Sequence, residues 1–474
     1  MSTVKRTARN LGSLTVAKVA VRTAGLVLTA FLVRHIGEED FGRYNLARSF
    51  ALMFAVLAKM GVLQITVRDV AGHREWGPRY ASTGFTLLVA QSAAMVALIL
   101  GLAYVLGYRD EQLLGIGVMS VAVSAMCFEA FGSAIFAAHE QLHIEAVFLL
   151  VRQVIWSILA VIGIALGFGY LYFLWGLLIT SVLMAVLTLS SAQRRFFRFR
   201  PGWDPATARA LFFAGLPLAL SAILVDLYLR LDVVMLDQMT DAVTVGQYAA
   251  AFRLISTVTF LAMSFYAVLF PVFSRMEANA SDRLAWAFDQ SLRVVSIALV
   301  PICILGVFWA PWLMTTVFGE PFRAAAPVLA IAIWATALQG IAVLSGRMLV
   351  AKGRQVITMW ISAVSLLVNV ALNYLLIPTL GMIGAATASV VTQALVSIGS
   401  WYLLVRLLGR SEFPLRLAGI IGAGLAMAVV LRLTESWSMV GGSLLALSVF
   451  LAVLVPLRAA GRSDLELVRS LTRR

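Results

Sequence analysis

Apolar residues run along this chain in continuous blocks separated by short polar stretches. A helix needs about 20 apolar residues to cross a bilayer. Blocks of about that length lie near 11–33, 43–65, 80–106, 113–137, 144–166, 170–191, 210–236, 246–272, 287–314, 324–346, 356–377, 384–405, 415–432 and 439–457. The pattern predicts an all-α polytopic membrane protein of about 14 transmembrane helices. Barrel strands alternate in polarity and are about half as long, so a β-barrel does not fit.

The strongest interruption is 192–209, where charge, Pro201 and Pro205 break the apolar run. Six spans precede it and six follow. An even number returns the chain to the same side, so the halves are expected to be parallel repeats. Two echoes support this. Gly42-Arg43-Tyr44 leading to Arg48 matches Gly246-Gln247-Tyr248 leading to Arg253, and Gly176…Ser181-Val182 matches Gly384…Ser389-Val390. The expected organisation is an N-terminal six-helix lobe (1–191), a basic cytoplasmic linker (192–209), a C-terminal six-helix lobe (210–407), and two additional helices with a basic tail (408–474). Pro271, Pro301, Pro311 and Pro327 are expected to kink spans eight to ten or to lie at their ends.

The chain of 474 residues is 61% hydrophobic, and its charged share of 13% is half the soluble average of about 25%. The net charge of +14 could suggest nucleic acid, but its placement argues against that. With the N-terminus cytoplasmic, the cytoplasmic segments hold 24 Lys+Arg and the opposite loops hold 3. This asymmetry is the positive-inside pattern, with both termini cytoplasmic. Arg194–Arg200 reads as an interfacial linker touching anionic lipid. No cleavable leader is evident, since Lys18 and Arg22 interrupt the first apolar segment. Cys127 and Cys303 fall in spans and read as small packing residues.

An arginine at a span centre costs about 2.5–3.5 kcal/mol even on the lenient scale, and by default marks a functional site. Ten Lys+Arg lie outside the loops: Lys18, Arg22, Arg43, Arg48, Lys59, Arg152, Arg230, Arg253, Arg293 and Arg432. The spans' acids are fewer, chiefly Glu129, Asp226, Asp232 and Asp289. Such a balance attracts anions, and the arginine fork suits pyrophosphate. The expected clamp is Arg22, Arg48 and Arg253, with Lys18, Arg152 and Arg293 as further substrate-binding candidates. Asp226 and Arg230, four apart, are expected to form an internal ion pair. Arg43, Lys59 and Arg432 lie near span ends, where snorkelling is favoured. Asp232, Asn369 and Asn373 supply oxygens for a coupling cation. Interhelical hydrogen bonding is the alternative for the asparagines. His139-Glu140-Gln141-Leu142-His143 fits H-E-x-x-H, but it falls at a short turn without an evident third ligand. A polar interfacial turn is the favoured reading; an intramembrane zinc metalloprotease is the remote one.

From 211 to about 405 the chain resembles the polysaccharide (Wzx-type) flippase branch of the MOP exporter superfamily. The carrying residues are Gly215-Leu216-Pro217, Leu229-Arg230-Leu231-Asp232, Val245–Leu254, Phe270-Pro271, Phe318-Gly319, Ala371–Pro378 and Gly384-Ala385-Ala386. A looser match runs through Phe41-Gly42-Arg43-Tyr44, Gly61-Val62 and Arg68. The resemblance implies two six-helix lobes forming a V around an alternating-access cavity. The implied cargo is a glycan on polyprenyl pyrophosphate, moved to the outer leaflet of a prokaryotic cytoplasmic membrane. Spans thirteen and fourteen are similar to those that form a lipid groove in lipid II flippases, whose essential arginines lie in spans one, two and eight. Those relatives bind sodium between the corresponding spans, with a contact near Ala385 and Ser389; here Asn373 replaces an acid. Na+ or H+ coupling is therefore open, and no other cofactor or metal is expected. The expected partners are the lipid-linked glycan and membrane lipids, with a polysaccharide polymerase or glycosyltransferases left open. Nucleic acid is not expected, the chain is expected to be monomeric, and no enzymatic activity is expected. A lipid II flippase and a cation-coupled drug antiporter on the same fold are the alternatives. A polymerase would show a large outer loop, which the chain lacks.

Overall fold

The computed structural model describes residues 3–275, 281–409 and 411–457. The described residues are 89% helical, with no strand among them. The helices are α1 (Thr3–Met53), α2 (Ala55–Lys59), α3 (Val62–Gly72), α4 (Gly77–Val105), α5 (Asp110–Ala138), α6 (Leu142–Ala165) and α7 (Tyr170–Arg195). After the linker come α8 (Pro205–Tyr228), α9 (Leu231–Met239), α10 (Ala242–Arg275), α11 (Ser281–Phe308), α12 (Ala310–Phe318), α13 (Ala326–Ala332) and α14 (Trp334–Ala351). The last four are α15 (Gln355–Leu380), α16 (Met382–Leu408), α17 (Phe413–Leu433) and α18 (Met439–Leu454).

Ten stretches among the described residues are long and apolar enough to cross a membrane, and the protein is a multi-pass membrane protein. The fourteen apolar blocks map onto these helices with breaks the pattern did not show. Spans one and two share α1, divided at Gly37, whose φ of 76° is a turn that glycine adopts without penalty. Span two is broken again at Phe54 and Met60-Gly61, and span seven at Leu229-Arg230. Of the four prolines, Pro301 lies inside α11, while Pro311 and Pro327 open α12 and α13. At a first turn the missing N–H costs nothing, so these two start helices rather than bend them. Pro271 falls within α10, its side chain outside the described residues. The basic tail from 458 also lies outside them.

By packing, the chain forms two compact units. The first is Met1–Ala250 with Asn373–Met382, and the second is Ala251–Leu372 with Ile383–Arg474. This division falls within α10 and α15, not in the linker, so span seven and the start of span eight belong with the first unit.

In the first unit α5 is the central helix, packed against α1, α3, α4, α6 and α7. Small residues set its close approach to α7, where a Cβ on Gly132 would meet Thr188 Oγ1 at 2.7 Å. Buried hydroxyls satisfy themselves on the preceding turn: Ser120 on Ile116 O at 2.7 Å, Thr180 on Gly176 O at 2.8 Å and Thr188 on Met184 O at 2.9 Å. The linker is an ordered strap along the start of α4. Thr86 donates to Gly202 O at 2.9 Å, Ser82 donates to Arg200 O, and Arg79 donates to Asp204 at 2.7 Å. Phe199 is buried beside Phe85, while Arg198 and Arg200 stay exposed. Asp204 also caps α8, accepting from Thr207 N at 2.8 Å. The cap and Arg79 hold its carboxyl down at about 2.

In the second unit α11 lies between two apolar clusters. Phe288, Leu292, Val295 and Leu299 pack with Leu344, Met348, Leu349, Leu404 and Phe413. Val300 and Ile304 pack with Ile420, Ala423 and Met427 of α17 and Ala446 and Phe450 of α18. Spans thirteen and fourteen are thus built into a core. Cys127 and Cys303 are buried free thiols, each in its own unit.

Candidate functional site

The first unit gathers charge at the two helix breaks. Arg22, half-buried on α1, lies within electrostatic range of Arg48, and Arg48 within range of Arg230. Asp226 lies within range of Arg230 and of Lys59. Asp226 is thus in range of two of these four cations. Of the expected clamp, the structure brings Arg22 and Arg48 together in this unit.

The local fold explains the membership. Arg230 is the first residue before α9, with φ −135°, so α8 has already ended. The four-residue spacing from Asp226 no longer places the two side chains on one face. No ion pair within 4 Å joins them among the described residues, and Arg230 Nε is buried without a hydrogen-bond partner. The expected internal ion pair is thus replaced by a looser electrostatic relation. Lys59 closes α2, one residue before the Met60-Gly61 break, and is half-buried. The helical path of span two continues beyond it to Gly72. Gly61 adopts φ +72°, and a Cβ there would meet Gly215 Cα of α8 at 2.3 Å. That close approach brings the broken part of span two against α8.

The other candidates sit elsewhere. Lys18 is exposed on α1. Arg152 pairs with Glu129 and donates to Ser181 Oγ at 3.2 Å, so its charge is balanced. Arg253 is half-buried on α10 in the second unit, and its carbonyl accepts from Ser256 and Thr257 hydroxyls at 2.9 and 3.0 Å. Arg293 is 1% exposed on α11, in electrostatic range of Arg416 and Glu412 at the start of α17. Asp289 holds that start, accepting from Ser411 Oγ at 2.7 Å and Glu412 N at 2.6 Å. Arg43 pairs with Glu39 at 2.6 Å, and Arg432 with Glu435 at 3.2 Å on the exposed helix end.

Two of the expected cation-binding residues, Asp232 and Asn373, meet in the first unit. Asp232 is buried; its Oδ2 accepts from Tyr248 Oη at 3.0 Å and its Oδ1 from Asn373 Nδ2 at 3.2 Å. Tyr248 escaped the sequence reading, although it stands in the duplicated Gly-x-Tyr pattern. Asn369 and Ser389 are buried in the second unit.

Glycines place this corner as well. A Cβ on Gly42 would lie 1.8 Å from Ala242 O, and one on Gly246 1.9 Å from Glu38 O. The two copies of the repeat thus cross at their own glycines. Gln247 Nε2 donates to Glu38 Oε2 at 2.6 Å beside the crossing.

The H-E-x-x-H segment straddles a turn. His139 ends α5, Glu140 has φ 59°, and His143 is exposed on α6. The His139 ring stacks on Phe196 at 3.9 Å, with Nδ1 2.9 Å from Ile135 O. The two imidazoles therefore do not share a helix face, as the zinc pattern requires.

The profile of the polysaccharide biosynthesis protein family matches residues 7–277, and the MatE profile matches 217–375. The chain is 22% identical to the probable low-salt glycan biosynthesis flippase Agl15 of Haloferax volcanii, over 78% of this chain and 77% of that one. It is 23% identical to the succinoglycan biosynthesis transport protein ExoT of Rhizobium meliloti, over 69% of this chain and 65% of that one. Its fold matches that of the lipid II flippase MurJ in an inward closed conformation, with TM-score 0.78 and 15% identity over 95% and 99% of the two chains. An inward-facing multidrug resistance MATE family transporter of the MOP superfamily matches with TM-score 0.66 and 15% identity over 82% and 94%.

Proposed function

Because the chain belongs to the polysaccharide biosynthesis protein family, we propose that it is a flippase carrying a polyprenyl-pyrophosphate-linked oligosaccharide from the cytoplasmic to the outer leaflet. The observation that carries this reading is the group Arg48, Lys59 and Arg230 at two broken spans, joined by Arg22 of span one, with Asp226 in range of Arg230 and Lys59. Broken spans free backbone groups and position charge at membrane depth, where transporters bind ions and polar cargo. Pyrophosphate in a low-dielectric setting gains strongly from guanidinium forks and from no other side chain as much. Arg253 is a separate anion-binding proposal on its own unit, and Lys18 an exposed cation on the same helix as Arg22. No bond is made or broken: the protein supplies a polar path for the head while the prenyl chain stays in lipid. Glycan hydroxyls need hydrogen-bond partners or water throughout, which a bare bilayer does not offer.

The membrane is the prokaryotic cytoplasmic one, with both termini inside, as the Lys+Arg asymmetry supports. Asp232, held by Tyr248 and Asn373, suits a group that exchanges a proton or weakly binds a monovalent cation. Such coupling acts only through different affinity in two conformations. Flipping by Asp232→Asn should then lose its dependence on proton or sodium gradients.

The MatE match favours a second reading, a cation-coupled drug antiporter. A cationic drug would be repelled by Arg22, Arg48, Lys59 and Arg230, so the flippase is preferred. The experiment is deletion of the gene in its host, measuring lipid-linked glycan on each leaflet with wild-type and Arg48→Ala rescue. Cytoplasmic-leaflet accumulation cured by wild type alone is expected. A normal distribution in the deletion strain, with no redundant flippase present, overturns the reading.

A further inference from the structure

The Arg152–Glu129 pair does not lie sealed between helices. It forms the inner end of a groove of about 640 Å³ in the first unit, within the usual range for ligand sites of roughly 300–1,000 Å³. The floor is one face of α5, carrying Met126, Glu129, Ser133 and Ala137. One wall is α3 with Gln64; the other is α6, where Glu145, Leu149 and Arg152 stand at helical spacing with Phe148 beside them. Arg152 is ten residues into α6, about 15 Å along it, hence near the middle of a core about 30 Å thick. Glu129 is 7% exposed.

A buried ion pair in a membrane is costly, and by default an ionisable residue there marks a functional site. A pair that only braced α5, α6 and α7 would be covered. Here a groove leads to it, and its polar lining groups Gln64, Ser133 and Glu145 make no side-chain hydrogen bond within the described residues. Two carboxylates and one guanidinium give the groove a net negative charge. It therefore repels pyrophosphate, which separates it from the cationic group at the helix breaks. What it suits is an uncharged, hydroxyl-rich ligand: carboxylate and amide oxygens accept from hydroxyls, the remaining Arg152 N–H groups donate to them, and Phe148 and Leu149 cover apolar ring faces.

We propose that this groove is a saccharide subsite, holding sugar residues of the lipid-linked glycan away from its pyrophosphate. This rests on the flippase reading. The test uses purified protein in proteoliposomes with two probes: polyprenyl pyrophosphate carrying the host's complete glycan, and the same lipid carrying only its first sugar. Glu129→Gln keeps shape while weakening the pair. Gln64→Ala changes an exposed rim position and leaves the fold undisturbed. Each is expected to slow the complete glycan about tenfold, the loss of one good hydrogen bond. Gln64→Ala should leave the single-sugar lipid within about twofold of wild type. Arg48→Ala should stop both probes. Equal slowing of both probes by Gln64→Ala, or no slowing of either by both variants, overturns the subsite and leaves the flippase reading intact. Wild-type protein that moves neither probe removes the flippase reading and the subsite with it.

Discussion

Arg230 and Asp226 are four residues apart in a run that reads as one helix, yet a break at Leu229-Arg230 separates them, leaving Arg230 Nε buried and unpartnered. Spacing rules hold only inside a continuous helix, and nothing in the local composition announced this break. Arg22 and Arg48 were legible, because a cation deep in an apolar run is costly wherever it sits. Tyr248 was not, because an aromatic residue in a membrane span is unremarkable until its hydroxyl is seen to meet Asp232. If Arg230 binds the cargo's phosphate, Arg230→Ala loses a charged hydrogen bond of about 1.5–3 kcal/mol. Flipping of the lipid-linked glycan should then fall at least about tenfold. Arg230→Lys, which keeps charge but not the fork, should fall between wild type and alanine. Equal rates for wild type and Arg230→Ala in proteoliposomes would show that the group does not touch the cargo.

At the scale of elements, glycines decide where helices cross. Gly246 meets the Glu38 carbonyl so closely that a Cβ would sit 1.9 Å from it. Gly246→Ala must push the start of α10 off α1, an overpacking cost of about 1–3 kcal/mol or more. Thermal unfolding in detergent should show a clear drop in Tm, whereas Gly101→Ala, where no atom lies within 4 Å, should not. The linker makes a second prediction. Asp204, at about 2, is depressed below the carboxylate value of 3.8, so its contribution is present above that value and lost as pH falls through about 2. Asp204→Ala should lower Tm by a constant amount from pH 7 to pH 4, with the gap closing toward pH 2. A gap that closes already between pH 7 and pH 5 would assign the strap's stability to some other group. The strap itself was half legible: the exposed arginines follow from charge, but the alternating phenylalanines that dock on α4 needed the partner helix.

Over the whole molecule, exposed apolar residues such as Val105, Leu415 and Leu433 are what a chain dissolved in lipid presents. The orientation can be checked with single cysteines, because Cys127 and Cys303 are buried and should resist labelling. Trp437→Cys should react with a membrane-impermeant thiol reagent on intact cells, and Trp203→Cys only after permeabilisation; both positions are well exposed. The reverse pattern would invert the topology. Hydrophobic block length and the sidedness of Lys and Arg determined the all-α membrane class and the expected orientation, because the bilayer reads both directly, one segment at a time. The duplicated Gly-x-Tyr pattern likewise marked where α1 and α10 cross, and the deep arginines two of the cations that gather in the first unit. Only the tertiary structure decided which cations gather, that Arg152 is already balanced by Glu129, and that spans thirteen and fourteen share a core with α11. Those outcomes depend on helix breaks and on side chains distant in sequence meeting across helices, and no periodicity within one segment encodes them.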